Sequence, residues 1–135
     1  MISQYLIVAE NITYKNNKLS CINIMDNFIA LAMPAELLFD MVVICGPNWT
    51  PGEHKIFIKA KTNKEDVVSI GDATVNIPSE NFVYNAVAPN LRITVDSSVT
   101  DITFLVYDGD ENLVIERKYV VNSILVPSNP EPAEA

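Results

Sequence analysis

The stretch LLFDMVVIC at residues 37–45 is the most hydrophobic part of the chain, and Asp40 is its only charged residue. Side chains of an extended segment alternate between the two faces of a sheet, so a strand that is apolar on both faces is typical of a sheet interior. The loop GPNWTPG at residues 46–52 follows at once, and its prolines and glycines end any regular structure. We therefore predict a central β-strand that closes on a well-defined loop.

Short apolar stretches bounded by turn residues continue on both sides of this strand, from Tyr5 to Val121. The polar turn KNNK at residues 15–18 and the Asp108-Gly109 pair each predict a hairpin. A short helical turn is expected at Ala35-Glu36, and residues 79–89 are interpreted as an irregular loop packed onto the sheets. We predict an all-β fold, an antiparallel β-sandwich of seven or eight strands.

The length of 135 residues fits a single domain. We assign residues 1–126 to the sandwich. Residues 127–135 contain three prolines and no large apolar side chain, so we predict a disordered acidic tail there. The N-terminus has no signal-peptide pattern and no apolar run spans a bilayer, so the cytoplasm is the expected compartment.

The net charge of −8 and the pI of about 4.4 disfavour direct nucleic-acid binding and anionic membranes. One basic cluster nevertheless interrupts this acidity. Ile56, Ile58 and Ala60 alternate with a second set of side chains, which comprises Lys55, Phe57, Lys59 and Lys61. This second face is either a solvated strand surface guarded by lysines or a docking patch for a partner.

Trp49 is the only tryptophan and lies in the loop of residues 46–52. A tryptophan at such a place either folds back over the core as a plug or anchors an interface. If the protein works by binding, we expect Trp49 to be exposed and to act as the first anchor. Phe57, Lys55, Lys59 and Lys61 would then complete the binding surface.

The acids Asp108, Asp110 and Glu111 surround a glycine between two apolar stretches. Hard cations such as Ca²⁺ need several converging oxygen ligands, so these three residues are the best metal candidates of the chain. The competing interpretation is that Asp-Gly is simply the chemistry of a hairpin turn. No cofactor is expected beyond this candidate ion.

Catalytic motifs are not evident in the sequence. His54 is the only imidazole, and no nucleophile elbow, phosphate-binding glycine loop or zinc-protease motif occurs. Cys21 and Cys45 lie in apolar stretches without metal-binding spacing and are expected to be buried free thiols. We therefore do not expect an enzyme.

Short motifs in the N-terminal third carry a family resemblance. AENI at residues 9–12, NKL at 17–19, INIMDNF at 22–28, Pro34 and the later PGEH at 51–54 resemble a domain-of-unknown-function family of small bacterial and phage proteins. The resemblance implies a C2-like or immunoglobulin-like sandwich, and it supplies no catalytic residue.

Together with the sequence, this resemblance favours a non-enzymatic interaction or assembly module, related to phage or mobile-element accessory proteins. Its partner would be another protein or a second copy of the chain. Two alternatives remain open at this point. One is an acidic inhibitor that mimics nucleic acid with the carboxylates between Glu65 and Glu116. The other is a calcium-dependent C2-like binding domain.

Overall fold

The computed structural model describes residues 5–123, and all of the regular structure in this range is β-strand. The strands are β1 (Tyr5–Lys15), β2 (Lys18–Met25), β3 (Asn27–Ala30), β4 (Ala35–Cys45), β5 (Gly52–Thr62), β6 (Val67–Ile77), β7 (Tyr84–Val95), β8 (Asp101–Asp108) and β9 (Leu113–Ser123).

The all-β prediction is confirmed, but the predicted strand count is wrong, since these residues form nine strands. Two local expectations are also wrong. Ala35 and Glu36 begin β4 instead of a helical turn, and β7 begins at Tyr84 inside the segment interpreted as a loop. β7 begins this early because it pairs with β4 from Val95 to Tyr84. This pairing supplies hydrogen-bond partners on both sides of Pro89.

The strands form two packed sheets, with the order β2-β1-β4-β7 in the four-stranded sheet and β3-β9-β8-β5-β6 in the five-stranded sheet. The five-stranded sheet is curled into a half-barrel. β4 lies between β1 and β7, as predicted from its two apolar faces. Neighbouring strands are antiparallel except β3 and β9, which run parallel from Asn27↔Val120 to Ala30↔Ser123.

The core lies between the two sheets and is centred on aromatic rings. Phe28, Phe39, Phe104 and Tyr119 have ring centroids 5.4–6.1 Å apart at tilted or edge-on angles. Such geometries are the favoured ones for aromatic pairs. Because the four rings come from β3, β4, β8 and β9, this cluster holds the two sheets together.

A second, smaller apolar cluster contains Ala9, Ile12 and Val42. Val42 alternates with core residues of β4, so this cluster lies on the outer face of the four-stranded sheet. Leu19 and Cys21 from β2 pack against it. The far end of the β1–β2 hairpin therefore covers part of that outer face.

Within residues 5–123 no helix is long and apolar enough to cross a membrane. The predicted domain end at residue 126 and the predicted tail of residues 127–135 lie outside the described part of the chain.

Candidate functional site

The loop of residues 46–52 is built around a buried tryptophan. Trp49 is 1% exposed and its ring centroid lies 5.5 Å from that of His54, edge to face. The backbone N–H of Asn48 donates to the carbonyl of Glu80 at 2.7 Å, which ties the loop to the segment before β7. This burial matches the plug interpretation of Trp49 and does not fit an exposed interface anchor. The hydrogen bond to Glu80 holds the loop against the end of the sandwich, and the side chain of Trp49 packs into the core.

The other four predicted binding residues share one surface. Ile56, Ile58 and Ala60 are buried in the core, whereas Lys55 and Phe57 on the alternate positions of β5 are exposed. Lys59 and Lys61 on the same face are half-buried by their neighbours. The structure thus brings Lys55, Phe57, Lys59 and Lys61 together on the outer face of the five-stranded sheet, and it leaves Trp49 out.

The strand register extends this surface across β8, β9 and β6. Phe57 lies directly opposite Tyr107 on β8 and Asp72 on β6, and Tyr107 lies opposite Leu113 on β9. The next row of partners is Glu116, Leu105, Lys59 and Ser69. We call the surface formed by Lys55, Phe57, Lys59, Lys61 and Tyr107 the lysine–aromatic face.

The lysines of this face differ in their partners. Lys61 forms an ion pair with Glu65 at 3.1 Å. The Nζ of Lys59 instead lies 5.2 Å from the centroid of the Tyr107 ring, within cation–π range. Among residues 5–123, no carboxylate oxygen lies within 4.0 Å of the Nζ of Lys55 or Lys59. In the described part of the chain, the charges of Lys55 and Lys59 are thus not paired with a carboxylate.

A groove of about 700 Å³ crosses the face. Its walls include Phe57, Lys59, Ser69, Asp72, Tyr107 and Glu111. This volume is in the range of small-molecule and side-chain binding clefts, and its mixture of rings with a few charged groups is typical of such clefts. The groove thus offers two rings, Phe57 and Tyr107, for apolar contact and Lys59 for contact with a negatively charged group.

The acidic turn after β8 has a structural role. The Oδ1 of Asp108 accepts hydrogen bonds from the backbone N–H groups of Asp110 and Asn112, each at 2.9 Å. The hydrogen bond from Asn112 is the largest cause that lowers the pKa of Asp108 below its usual value. Asp108 therefore closes the hairpin turn as an ionised acceptor.

The structure does not assemble the predicted metal site. In the range 5–123, no three side chains of histidine, cysteine, aspartate or glutamate gather as metal ligands. Asp108 is buried and turned towards its own loop backbone, whereas Asp110 and Glu111 are exposed. The turn interpretation of Asp108, Asp110 and Glu111 matches this geometry.

The two thiols are free and differ in burial. Cys45 is buried, as predicted, and desolvation raises its pKa to about 12, so the thiol is protonated at neutral pH. Cys21 is only half-buried, on the outer face of the four-stranded sheet, and burial raises its pKa as well. His54 is engaged at 2.6 Å with the carbonyl of Thr50.

Sequence reasoning missed the residues that complete the lysine–aromatic face. Tyr107 and Leu105 belong to β8, where Thr103, Leu105 and Tyr107 alternate with buried Ile102, Phe104 and Val106. That alternation is visible in the sequence and marks one face of β8. The register that places Tyr107 opposite Phe57 could not be predicted, because it depends on which strands become neighbours.

No protein-family model matches the chain, and no match was found among curated proteins.

Proposed function

We propose that this protein is a non-enzymatic protein-binding module that contacts its partner through the lysine–aromatic face. One observation carries the proposal: Phe57, with 37% of its surface exposed, lies opposite Tyr107 and is flanked by Lys55 and Lys59, two lysines with no carboxylate partner among residues 5–123. Aromatic residues are enriched at protein interfaces, and tyrosine is frequent among the residues that carry most of the binding energy.

The chemistry of the face defines the partner class. An apolar side chain of the partner would contact Phe57 and Tyr107, and carboxylates of the partner would pair with Lys55 and Lys59. A partner surface with acidic residues around an apolar one satisfies both requirements. The overall charge of −8 repels acidic proteins at long range, so the charges of Lys55 and Lys59 would select the orientation of the encounter.

The alternatives find less support. A nucleic-acid mimic needs a continuous row of negative charge, but lysines interrupt this one, since Lys61, Lys64 and Lys118 lie within 4 Å of Glu65, Asp96 and Asp101. Asp108 is buried in its turn. The calcium-binding alternative loses its proposed ligand set for the reason given above.

We further propose that the sandwich is immunoglobulin-like rather than C2-like. The order β9-β8-β5-β6 corresponds to strands G-F-C-C′ of a variable-type immunoglobulin sheet. The adjacent pair β4-β7 corresponds to strands B and E of the opposite sheet. Under this assignment, one strand of the β1–β2 hairpin has no counterpart in the usual immunoglobulin sandwich.

The biological setting is proposed on other grounds. The assignment to phage or mobile-element accessory proteins rests on the resemblance of residues 9–28 and 51–54 to that family. The cytoplasm is proposed as the compartment because Cys21 and Cys45 are free thiols, which reducing compartments preserve.

A photo-crosslinking amino acid tests the proposal. It would replace Phe57 in the full-length protein, and in a matched variant it would replace the similarly exposed Phe82, which lies outside the face. We expect one protein to be captured by the Phe57 variant in the source cells and not by the Phe82 variant. Equal capture by both variants would contradict the proposal.

The captured protein is then purified, and its affinity is measured for the wild-type protein and for the Lys59→Glu variant. We expect the affinity of the variant to fall tenfold or more, because the new glutamate repels the partner's carboxylates. A tenfold loss corresponds to about 1.4 kcal/mol. Lys64→Glu, a charge reversal of a lysine outside the face, is the control. Capture of a second copy of the chain would identify self-association instead of a different partner protein.

A further inference from the structure

The four-stranded sheet contains a gap on one side of β4. β1 pairs with β4 only from Tyr5↔Ile44 to Ala9↔Asp40, and from Asn11 onward it pairs with β2 alone. Residues 35–39 pair with β7 on their other side. Within residues 5–123, this part of β4 therefore has no strand neighbour on the side from which β1 departs.

An open strand edge presents backbone N–H and C=O groups that an extended chain can pair with. The groove beside this edge has a volume of about 380 Å³ and lies between β4 and the start of β3. Phe28 and Leu37, which belong to the core, form its inner wall together with the partly buried Met25. Within residues 5–123, the edge thus combines a strand side that has no neighbouring strand with an apolar wall.

The rim of the same groove is acidic. Glu36 alternates with Leu37 and so lies on the outer face of the sheet, and the exposed Glu10 also lines the groove. Glu36 has an exposed ion pair with Arg92 at 3.6 Å, and Glu10 accepts a hydrogen bond from the Asn23 side chain. Exposed contacts of this kind are weak and leave both carboxylates able to pair with a ligand.

We propose that residues 35–39 form a strand-addition site for an extended peptide in which apolar and basic residues alternate. Side chains of an added strand point alternately to the two faces of the sheet. The apolar set would contact Phe28 and Leu37, and the basic set would lie beside Glu10 and Glu36. Strand addition of this kind draws its affinity from the backbone and its specificity from alternate side chains. The inference is independent of the lysine–aromatic face.

The probe is the peptide acetyl-Lys-Val-Lys-Val-Lys-amide, which is as long as residues 35–39. Amide hydrogen exchange of the full-length protein is followed by NMR as this peptide is added. We expect alternate amides of residues 35–39 to exchange about tenfold more slowly at millimolar peptide, because one hydrogen bond is added at each. A peptide with glutamate in place of lysine should give no protection.

Two N-methylated peptides test the backbone pairing. One is methylated at the backbone nitrogens of both valines, and the other at those of all three lysines. Only alternate N–H groups of a strand face a given neighbour, so only one of the two peptides should keep its binding. Equal binding by both would overturn the proposal, since side-chain contacts alone would then account for the affinity.

Matched variants locate the site. Ile29→Lys places a positive charge at the wall of the groove and should weaken peptide binding about tenfold. Ile24→Lys changes an equally exposed isoleucine outside the groove and should leave binding unchanged. Equal effects of the two would overturn the proposal. Slow amide exchange of residues 35–39 without added peptide would also overturn it. Slow exchange at every protein concentration would indicate that terminal residues of the chain cover the edge, and slow exchange only at high concentration would indicate a second copy.

Discussion

The carboxylate of Asp40 accepts a hydrogen bond from the backbone N–H of Ile12 at 2.8 Å. Its other oxygen accepts from the backbone N–H of Asn90 at 2.9 Å. Both donors lie where a neighbouring strand departs from regular pairing: β1 leaves β4 after Ala9, and the β4–β7 register shifts between Phe39 and Met41. Asp40, the buried carboxylate of the central strand, therefore fixes the shape of the four-stranded sheet on both sides.

Replacement of Asp40 by alanine should lower the free energy of unfolding by about 2–4 kcal/mol, because two backbone N–H groups lose their acceptor in a nearly buried site. Urea denaturation measures this loss. The matched control is Glu36→Ala on the same strand, whose exposed side chain should change stability by less than about 1 kcal/mol. Similar losses for the two variants would show that Asp40 does not hold the neighbouring strands.

Gly46 should be sensitive to substitution. Its φ of +106° is strained for any other residue, and a Cβ there would overlap the carbonyl oxygen of Phe82. We expect Gly46→Ala to cost about 2 kcal/mol or more, measured by thermal and urea unfolding. Gly109→Ala, where a Cβ meets no atom within 4 Å, should stay within about 0.5 kcal/mol of the wild type. Equal stability of the two variants would contradict the close approach of the loop to Phe82.

Trp49→Ala should destabilise the fold by about 3–5 kcal/mol, as expected for the loss of a fully buried large aromatic side chain. Phe82→Ala, which truncates an exposed aromatic residue nearby, should have a much smaller effect. The unfolding midpoint and the affinity for the captured partner are both measured. An unchanged midpoint with lost affinity would restore Trp49 as an interface anchor.

Asp108 should contribute to acid sensitivity. Its pKa is lowered in the folded state, so its contribution is fully present above the pKa of the unfolded chain, near 4, and is lost as the pH falls through the lower folded value. Asp108→Asn should therefore flatten the decline of stability below about pH 4, whereas the exposed control Asp110→Asn should not. Unfolding free energies between pH 7 and pH 2 provide the measurement, and a parallel decline in all three proteins would exclude this role.

Local patterns predicted the parts of the molecule that depend on local chemistry. The two apolar faces of residues 37–45 indicated an interior strand, and the alternation of Ile56 and Ile58 with Lys55 and Phe57 indicated one buried and one outer face. The predictions failed where tertiary contacts decide. Trp49 is buried because its loop is anchored to Glu80, which is distant in the sequence. β7 continues past Pro89 because β4 pairs with it on both sides of the register shift at that residue.

The lysine–aromatic face illustrates the same division. Its β5 residues were identified from period-two alternation alone. Tyr107 and Leu105 were missed because their places beside Phe57 and Lys59 depend on the order of strands in the five-stranded sheet, which is set by long-range pairing. The turn of Asp108, Asp110 and Glu111 was ambiguous in the sequence because a hairpin turn and a cation site both favour acidic residues.

The most direct test of the binding function is an NMR titration of the isotope-labelled full-length protein with the partner captured through residue 57. The account predicts that the largest shift changes fall on Phe57, Lys59, Leu105 and Tyr107, on the outer face of the five-stranded sheet. Shift changes confined to the four-stranded sheet or to the loop of residues 46–52 would contradict it.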